Sequence, residues 1–278
     1  MTSPFPTTPL TGTPIWLHHL DLATYARLAQ GQDMTFFCQN LTNYHEARGE
    51  RIIHLWDDVT RQKPAVVASR LQALQGQSVR VPGRLMQARR IDKAVAVAFL
   101  ETNHLQAALP GKVRYGLFLP ERYYRVLPPA GLPPAGLPDH YRADLPPTEV
   151  LLAVATFAQP RQMTRQQPPT RSAELLRLAN RLGCTVVGGV DKLLKAYLTN
   201  HPADNLMTYA DRDWSDGGSY RKLGFEAVGD TPPQEFWIHP DEGIRYPPAT
   251  LPPGVTEANA RILGYVPIYN AGSRKFVR

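Results

Sequence analysis

The sequence predicts an α/β (α+β) fold, a mixed sheet with helices on its faces, on three observations. Apolar runs of strand length recur along the chain, among them RIIHLWDDV (51–59), VRYGLFL (113–119) and VLLAVATFA (150–158). Between them apolar residues fall at helical spacing, as at Val67, Leu71 and Leu74 or at Ile91, Val95 and Phe99. A Gly188-Gly189 pair then opens an amphipathic segment with Val190, Leu193, Leu194, Tyr197 and Leu198 on one face.

In chain order, a Pro- and Thr-rich start is expected to be irregular, and RIIHLWDDV is the first strong strand signal. Pro64, at a first helical position, opens a helix that Gly76 stops, completing a β-turn-α unit. A second helix carries Ile91, Val95 and Phe99 and runs into Glu101-Thr102-Asn103-His104. Two strands follow, separated by a segment in which PPAGL is repeated in tandem. Proline fixes φ and removes ladder donors, so about 124–147 is expected to be an exposed extended insertion. AELLRLA (173–179) and NLMTYA (205–210) read as strands on either side of the Gly-Gly helix. DGGSYRKLG is a short helix, FEAVGD and EFWIHP one or two strands, and GYVPIYNAGSRKFVR one or two C-terminal strands.

With 278 residues and 43% hydrophobic content, the chain can bury one large core or two modest ones. No apolar run approaches the ~20 residues of a membrane span, and the start lacks the pattern of a secretory signal, so no membrane partner and a cytoplasmic location are expected. Cys38 and Cys184 stand alone, without metal-site spacing; buried structural thiols are expected, and no metal. Basic residues exceed acidic ones by seven, unevenly. Arg61, Lys63, Arg70, Arg80, Arg84, Arg89, Arg90 and Lys93 fall in one stretch with a single acid, Asp92. Such a stretch suits a nucleic-acid backbone, or equally a solvated face.

From Arg80 onward the order is strand, helix, three strands, helix, strand, helix, two strands. That order, with the glycine pair before a helix and the ending Tyr220 to Phe225 (Tyr-x-x-x-Gly-Phe), resembles the GNAT superfamily of acyl-CoA N-acyltransferases over about residues 80–277. The resemblance implies a mostly antiparallel mixed sheet whose two strands around the glycine loop splay apart. It further implies acetyl-CoA or another acyl-CoA as cofactor and partner, its pyrophosphate on Val187, Gly188, Gly189 and Val190 with Lys192 beside them. The loop departs from the usual Arg/Gln-x-x-Gly-x-Gly/Ala pattern, with Thr185 first and Val190 last, and Asp191 adds a carboxylate that is also a good helix-dipole partner.

Longer strings are similar to the C-terminal domain of Hef-like phage homing endonucleases and their bacterial relatives. These are FLETNHLQ, LLAVATFAQPR, AELLRLANRLGCTVVGGVDKLLKAYL, TYADRDWSDGGSYRKLGF and IYNAGSRKF. In those proteins the GNAT-like domain follows a nuclease similar to very-short-patch-repair enzymes, and RIIHLWDDV with its helix resembles that nuclease's last strand and helix. None of the seven lysines has an acid two positions earlier, and only about fifty residues precede the matching strand, so nuclease activity is not expected. Residues 1–78 are accordingly expected to be a nuclease-like remnant or extension, and 79–278 the GNAT-like domain.

The candidate residues each carry two readings. Tyr220 is the general acid that protonates the departing thiolate, as the resemblance implies, or a ring packed in the core. Glu174 is the general base that the resemblance implies at this place, or a solvated carboxylate, and His104 a catalytic neighbour of Asn103 at the cleft or a helix-end partner. Tyr209, Asp211, Arg212 and Trp214 follow a strand end where substrates bind in such sheets, although Trp214 also suits a core. Two functions remain open: an acyl-CoA N-acyltransferase, acting on or near nucleic acid in one variant, and a non-catalytic DNA-binding protein held by the Arg61–Lys93 stretch.

Overall fold

The computed structural model describes residues 3–128, 148–164 and 168–278; the tandem PPAGL insertion lies outside them except for its first residues, 124–128. Strands form where β-branched and aromatic residues cluster, and helices where apolar residues fall three and four apart. In chain order the first elements are β1 (Thr7–Leu10), β2 (Ile15–Leu20), α1 (Leu22–Leu28), α2 (Phe37–Glu46), β3 (Arg51–Trp56), α3 (Asp57–Gln62) and α4 (Pro64–Leu74). Next come β4 (Val79–Pro82), β5 (Gln87–Arg90), α5 (Lys93–Asn103), β6 (Val113–Pro120), β7 (Glu149–Phe157), β8 (Arg161–Met163) and β9 (Thr170–Asn180). The chain continues through β10 (Cys184–Val187), α6 (Gly189–Asn200), β11 (Asn205–Asp211), α7 (Gly218–Arg221) and β12 (Glu226–Asp230). It ends with β13 (Glu235–Ile238), β14 (Arg245–Tyr246), α8 (Glu257–Ala260), β15 (Val266–Tyr269) and β16 (Ser273–Val277). The class is α+β with mixed, mostly antiparallel sheets.

Two compact units divide these elements, and each is discontinuous in sequence, unlike the continuous division suggested at residues 78 and 79. One comprises residues 1–64, 209–222 and 226–276; the other 65–208, 223–225 and 277–278. β11 therefore gives residues 205–208 to the second unit and 209–211 to the first.

In the second unit the strand order is β11-β9-β7-β6-β5, with β8 beside β9. All neighbours are antiparallel except β9 and β11, which run parallel through Ser172–Leu175 and Asn205–Thr208 with α6 as their crossover. Asp92 caps α5 by accepting from Val95 N (2.8 Å), and α5 buries Val95, Ala96, Phe99 and Leu100 against Phe118, Leu151, Val154 and Ala179. α6 buries Leu193, Leu194 and Tyr197, the last stacked on Phe157 with ring centroids 3.9 Å apart. Cys184, buried here, and Cys38, buried in the first unit, are both free thiols.

The first unit contradicts the expectation of an irregular start. TTPL pairs antiparallel with IWLHHL, and IWLHHL lies parallel to RIIHLW, giving the sheet β1-β2-β3. Pro9 is tolerated because β1 is the edge strand of that sheet. Its core joins both ends of the chain: Phe5, Leu20, Leu22, Tyr25, Cys38 and Trp56 pack with Ile238, Ile268 and Ala271. A second sheet runs β14-β13-β15, and a third group runs β12-β16-β11. Among the described residues, no helix is long and apolar enough to cross a membrane.

Candidate functional site

The glycine loop is built by four residues of β10 pairing parallel with β4, which sets Arg80 beside Thr185 and Pro82 beside Val187. Gly188 then takes φ 73°, a left-handed conformation that glycine adopts without strain, and opens α6. A side chain on Gly188 would meet nothing within 4 Å, so the space above this helix start is open; Gly189 has no such freedom, since a Cβ there would lie 2.6 Å from Val186 Cγ1. Gly83 approaches the loop from the turn after β4, and its Cβ would sit 2.9 Å from Val187 O and 3.1 Å from Gly189 N. Orphan N–H groups of a helix's first turn, bare of side chains on one face, form an anion cradle.

The charged residues near this loop are placed less as the sequence suggested. Lys192 donates from Nζ to Gly83 O (3.2 Å) and Met86 O, so it ties the neighbouring turn to the helix. Asp191 pairs with Lys195 at 2.7 Å along the helix surface, the plain dipole-partner arrangement. Val187 is exposed and Val190 half-buried. Exposed Arg80 and Arg84 flank the loop in sequence pairing and carry no ion pair among the described residues.

Glu174 sits half-buried on β9 opposite Met207 of β11, within the short parallel ladder, and its backbone oxygen accepts from Ala158 N. Asn103 is a brace: its amide donates to Phe99 O (2.8 Å) and its side-chain oxygen accepts from Leu182 N (2.8 Å). His104, the C-cap of α5, accepts from Gln106 N at Nδ1 (3.1 Å). Both arrangements are those of helix-end partners.

Tyr209, Asp211, Arg212, Trp214 and Tyr220 fall in the first unit. Tyr209 is exposed, and Asp211 accepts from Asp213 N (3.0 Å) to close a turn. Trp214 is buried and its backbone oxygen accepts from Arg51, the core role. Gly217 has φ 77°, and any side chain there would strike the Phe276 ring, against which Tyr220 packs at 5.6 Å between centroids. Arg212 is 3% exposed: Nη2 donates to Asn43 Oδ1 (2.7 Å) and Glu46 Oε2 (2.9 Å), and Nη1 lies 3.2 Å from Asp230 Oδ2.

The basic stretch is divided between the two units. Arg61 and Lys63 belong to the first unit, and Arg61 is engaged with Asp57 (3.8 Å) and Pro240 O (3.3 Å). In the second unit Arg70 is half-buried, and Arg89 pairs with Glu149 while covering the Phe118 ring at 3.7 Å. Arg80, Arg84, Arg90 and Lys93 remain exposed.

Sequence reasoning missed the buried ionisable groups of the first unit. His18 and His54, opposite each other in the parallel register of β2 and β3, share an Nδ1–Nδ1 hydrogen bond of 2.8 Å. Ser3 Oγ meets His18 Nε2 (2.7 Å) and Thr42 Oγ1 meets His54 Nε2 (2.8 Å). Burial pushes the His18 pKa down to about 2 and that of His54 to about 3, so both rings are neutral and their tautomers must alternate along the chain. Asp213 accepts from Ala271 N (2.7 Å) and Trp56 Nε1 (3.1 Å); burial raises its pKa to about 6 against those bonds. Buried Asp58 holds Arg245 in a two-pronged bond of 2.6 and 2.8 Å. The signal available beforehand was a histidine at the fourth position of both apolar strings, IWLHHL and RIIHLW.

No protein-family model matches the chain, and no curated protein matches it. Among the described residues, no group of three or more His, Cys, Asp or Glu side chains is arranged to hold a metal ion.

Proposed function

We propose that the chain is an acyl-CoA-dependent N-acyltransferase, using acetyl-CoA or a related thioester. One observation carries the reading: the bare, left-handed Gly188 and tightly packed Gly189 start a helix that crosses between two parallel strands of an otherwise antiparallel sheet. The first-turn amides of α6 would hold the pyrophosphate, with Arg80 and Arg84 supplying the charge that Lys192, bound to carbonyls, does not. The thioester supplies an acyl group activated for transfer. Glu174 would accept the proton of the attacking amine, and Tyr220 is assigned to protonating the thiolate by its place in the Tyr-x-x-x-Gly-Phe ending. General acid catalysis is worth ~10²–10⁴ in rate, so Tyr220→Phe should lower turnover by that range with acyl-CoA affinity unchanged. Unchanged turnover would remove Tyr220 from the mechanism.

A second reading, DNA binding without catalysis, is favoured by the exposed Arg80, Arg84, Arg90 and Lys93. It predicts duplex binding without sequence preference that weakens steeply with salt. Salt-insensitive binding, or none at low salt, counts against it.

A further inference from the structure

A cavity of about 390 Å³ opens in the first unit between one face of α2 and the turn after β12. Phe36, Gln39 and Asn43 recur at i, i+3 and i+7 and line one side, Thr231 and Pro232 the other, and Arg212 the floor. The volume lies in the lower range of small-ligand sites.

The wall has a definite hydrogen-bonding pattern. Gln39 Nε2 donates to Thr231 O (3.1 Å) and Ala271 O (3.5 Å), which leaves its Oε1 as an acceptor. Asn43 Oδ1 accepts from Arg212, which leaves its Nδ2 as a donor one helical turn away. Phe36 is 49% exposed and offers a ring face beside this acceptor–donor pair.

The floor is electrically balanced. Arg212 and Arg274 face Glu46 and Asp230, with Arg274 bonded to Asp230 at 2.7 and 2.8 Å and to Glu46 at 3.0 and 3.1 Å. The bonds to Arg274 hold the Asp230 carboxyl below the usual carboxylate range, so it stays ionised. A phosphate or carboxylate entering here would meet the ionised Asp230 and an Arg212 already shared by Asp230 and Glu46, whereas an uncharged planar ligand adds no charge to that balanced set.

We infer that this cavity binds a nucleobase, stacked on Phe36 and read at one edge by Gln39 Oε1 and Asn43 Nδ2. Paired amides reading a base edge and an aromatic face stacking it are the general chemistry of base recognition. The inference does not rest on the acyltransferase reading, because the probes contain neither thioester nor phosphate.

The test is titration of the full chain with adenosine, guanosine, cytidine and thymidine, followed by ligand-observed NMR, with ribose alone as control. At least one nucleoside should bind and ribose should not. Phe36→Ala, a change at an exposed ring, should weaken that binding by roughly 5- to 100-fold. Asn43→Asp keeps the oxygen that accepts from Arg212 but replaces the donor with an acceptor, and should abolish binding while the melting temperature confirms the fold. No binding at millimolar nucleoside, equal binding of ribose, or affinity unchanged in both variants would each overturn the inference.

Discussion

The two units are held together by different physics. The second is an apolar core in the ordinary sense: Phe99, Leu100, Phe118, Leu151 and Val154 interdigitate, and among the described residues its buried polar side chains are Asn103, Thr156, Ser172 and Thr208, none of them charged. The first buries His18, His54, Asp58, Arg212 and Asp213, the only buried His, Asp and Arg residues among those described. An apolar core is indifferent to pH and forgiving of volume-conserving changes. A core of bonded ionisable groups is specific, and every partner removed leaves a buried charge or an unmet donor.

The difference is broken first by pH. Both histidines have native pKa values far below the ordinary 6.5, so the unfolded chain binds more protons and stability falls as pH drops below about 6.5. Asp213 acts oppositely: its native pKa is raised, so its contribution is lost as pH rises from about 4 to 6. Two histidines against one carboxylate leave a net loss of stability between pH 7 and pH 4, measured by denaturant melts that follow the tryptophans, all of which lie in the first unit. A flat profile would mean that the histidine pair is not buried neutral.

The next largest effect is expected at Arg212. Arg212→Ala strips a buried cation from Glu46 and Asp230 and should destabilise the protein by about 3 kcal/mol, a loss that shrinks at low pH once Asp230, held below the usual carboxylate range, is protonated. Phe157→Leu in the second unit removes the stack on Tyr197 and should cost about 1 kcal/mol, equally at pH 4 and pH 7. A pH-dependent cost for Phe157→Leu would erase the contrast between the units.

The same contrast decides what was readable in the sequence. Ile91, Val95 and Phe99 announce α5, and the runs at 113–119 and 150–158 announce β6 and β7, because an apolar core writes its period directly into residue type. β2 and α2 were not legible for the converse reason. His18 and His19 interrupt the apolar run of IWLHHL, and the burial of His18 depends on the parallel register that puts it opposite His54. The polar string FCQNLTNYHE of α2 buries Cys38, Leu41 and Thr42 but starts at Phe36 without a capping side chain. β4 and β10 are four residues each, too short for a period to show, and their pairing is what brings Gly83 and Arg80 to the glycine loop. Within the candidate site the glycine pair was legible, since an open left-handed turn before a helix has few other solutions, whereas the capture of Lys192 by Gly83 and Met86 depends on that hidden pairing.

Acyl-CoA recognition is most directly tested by the melting temperature with and without millimolar acetyl-CoA, using acetylated cysteamine as the control that carries the thioester but no phosphates. A ligand bound only by the folded state stabilises it by about 2.7 kcal/mol at a hundredfold excess over Kd. A phosphate-binding glycine loop predicts a rise of several degrees with acetyl-CoA, none with the control, and a smaller rise in Arg84→Ala, whose exposed side chain carries no ion pair among the described residues. No shift with acetyl-CoA, or an equal shift with the control, would contradict it.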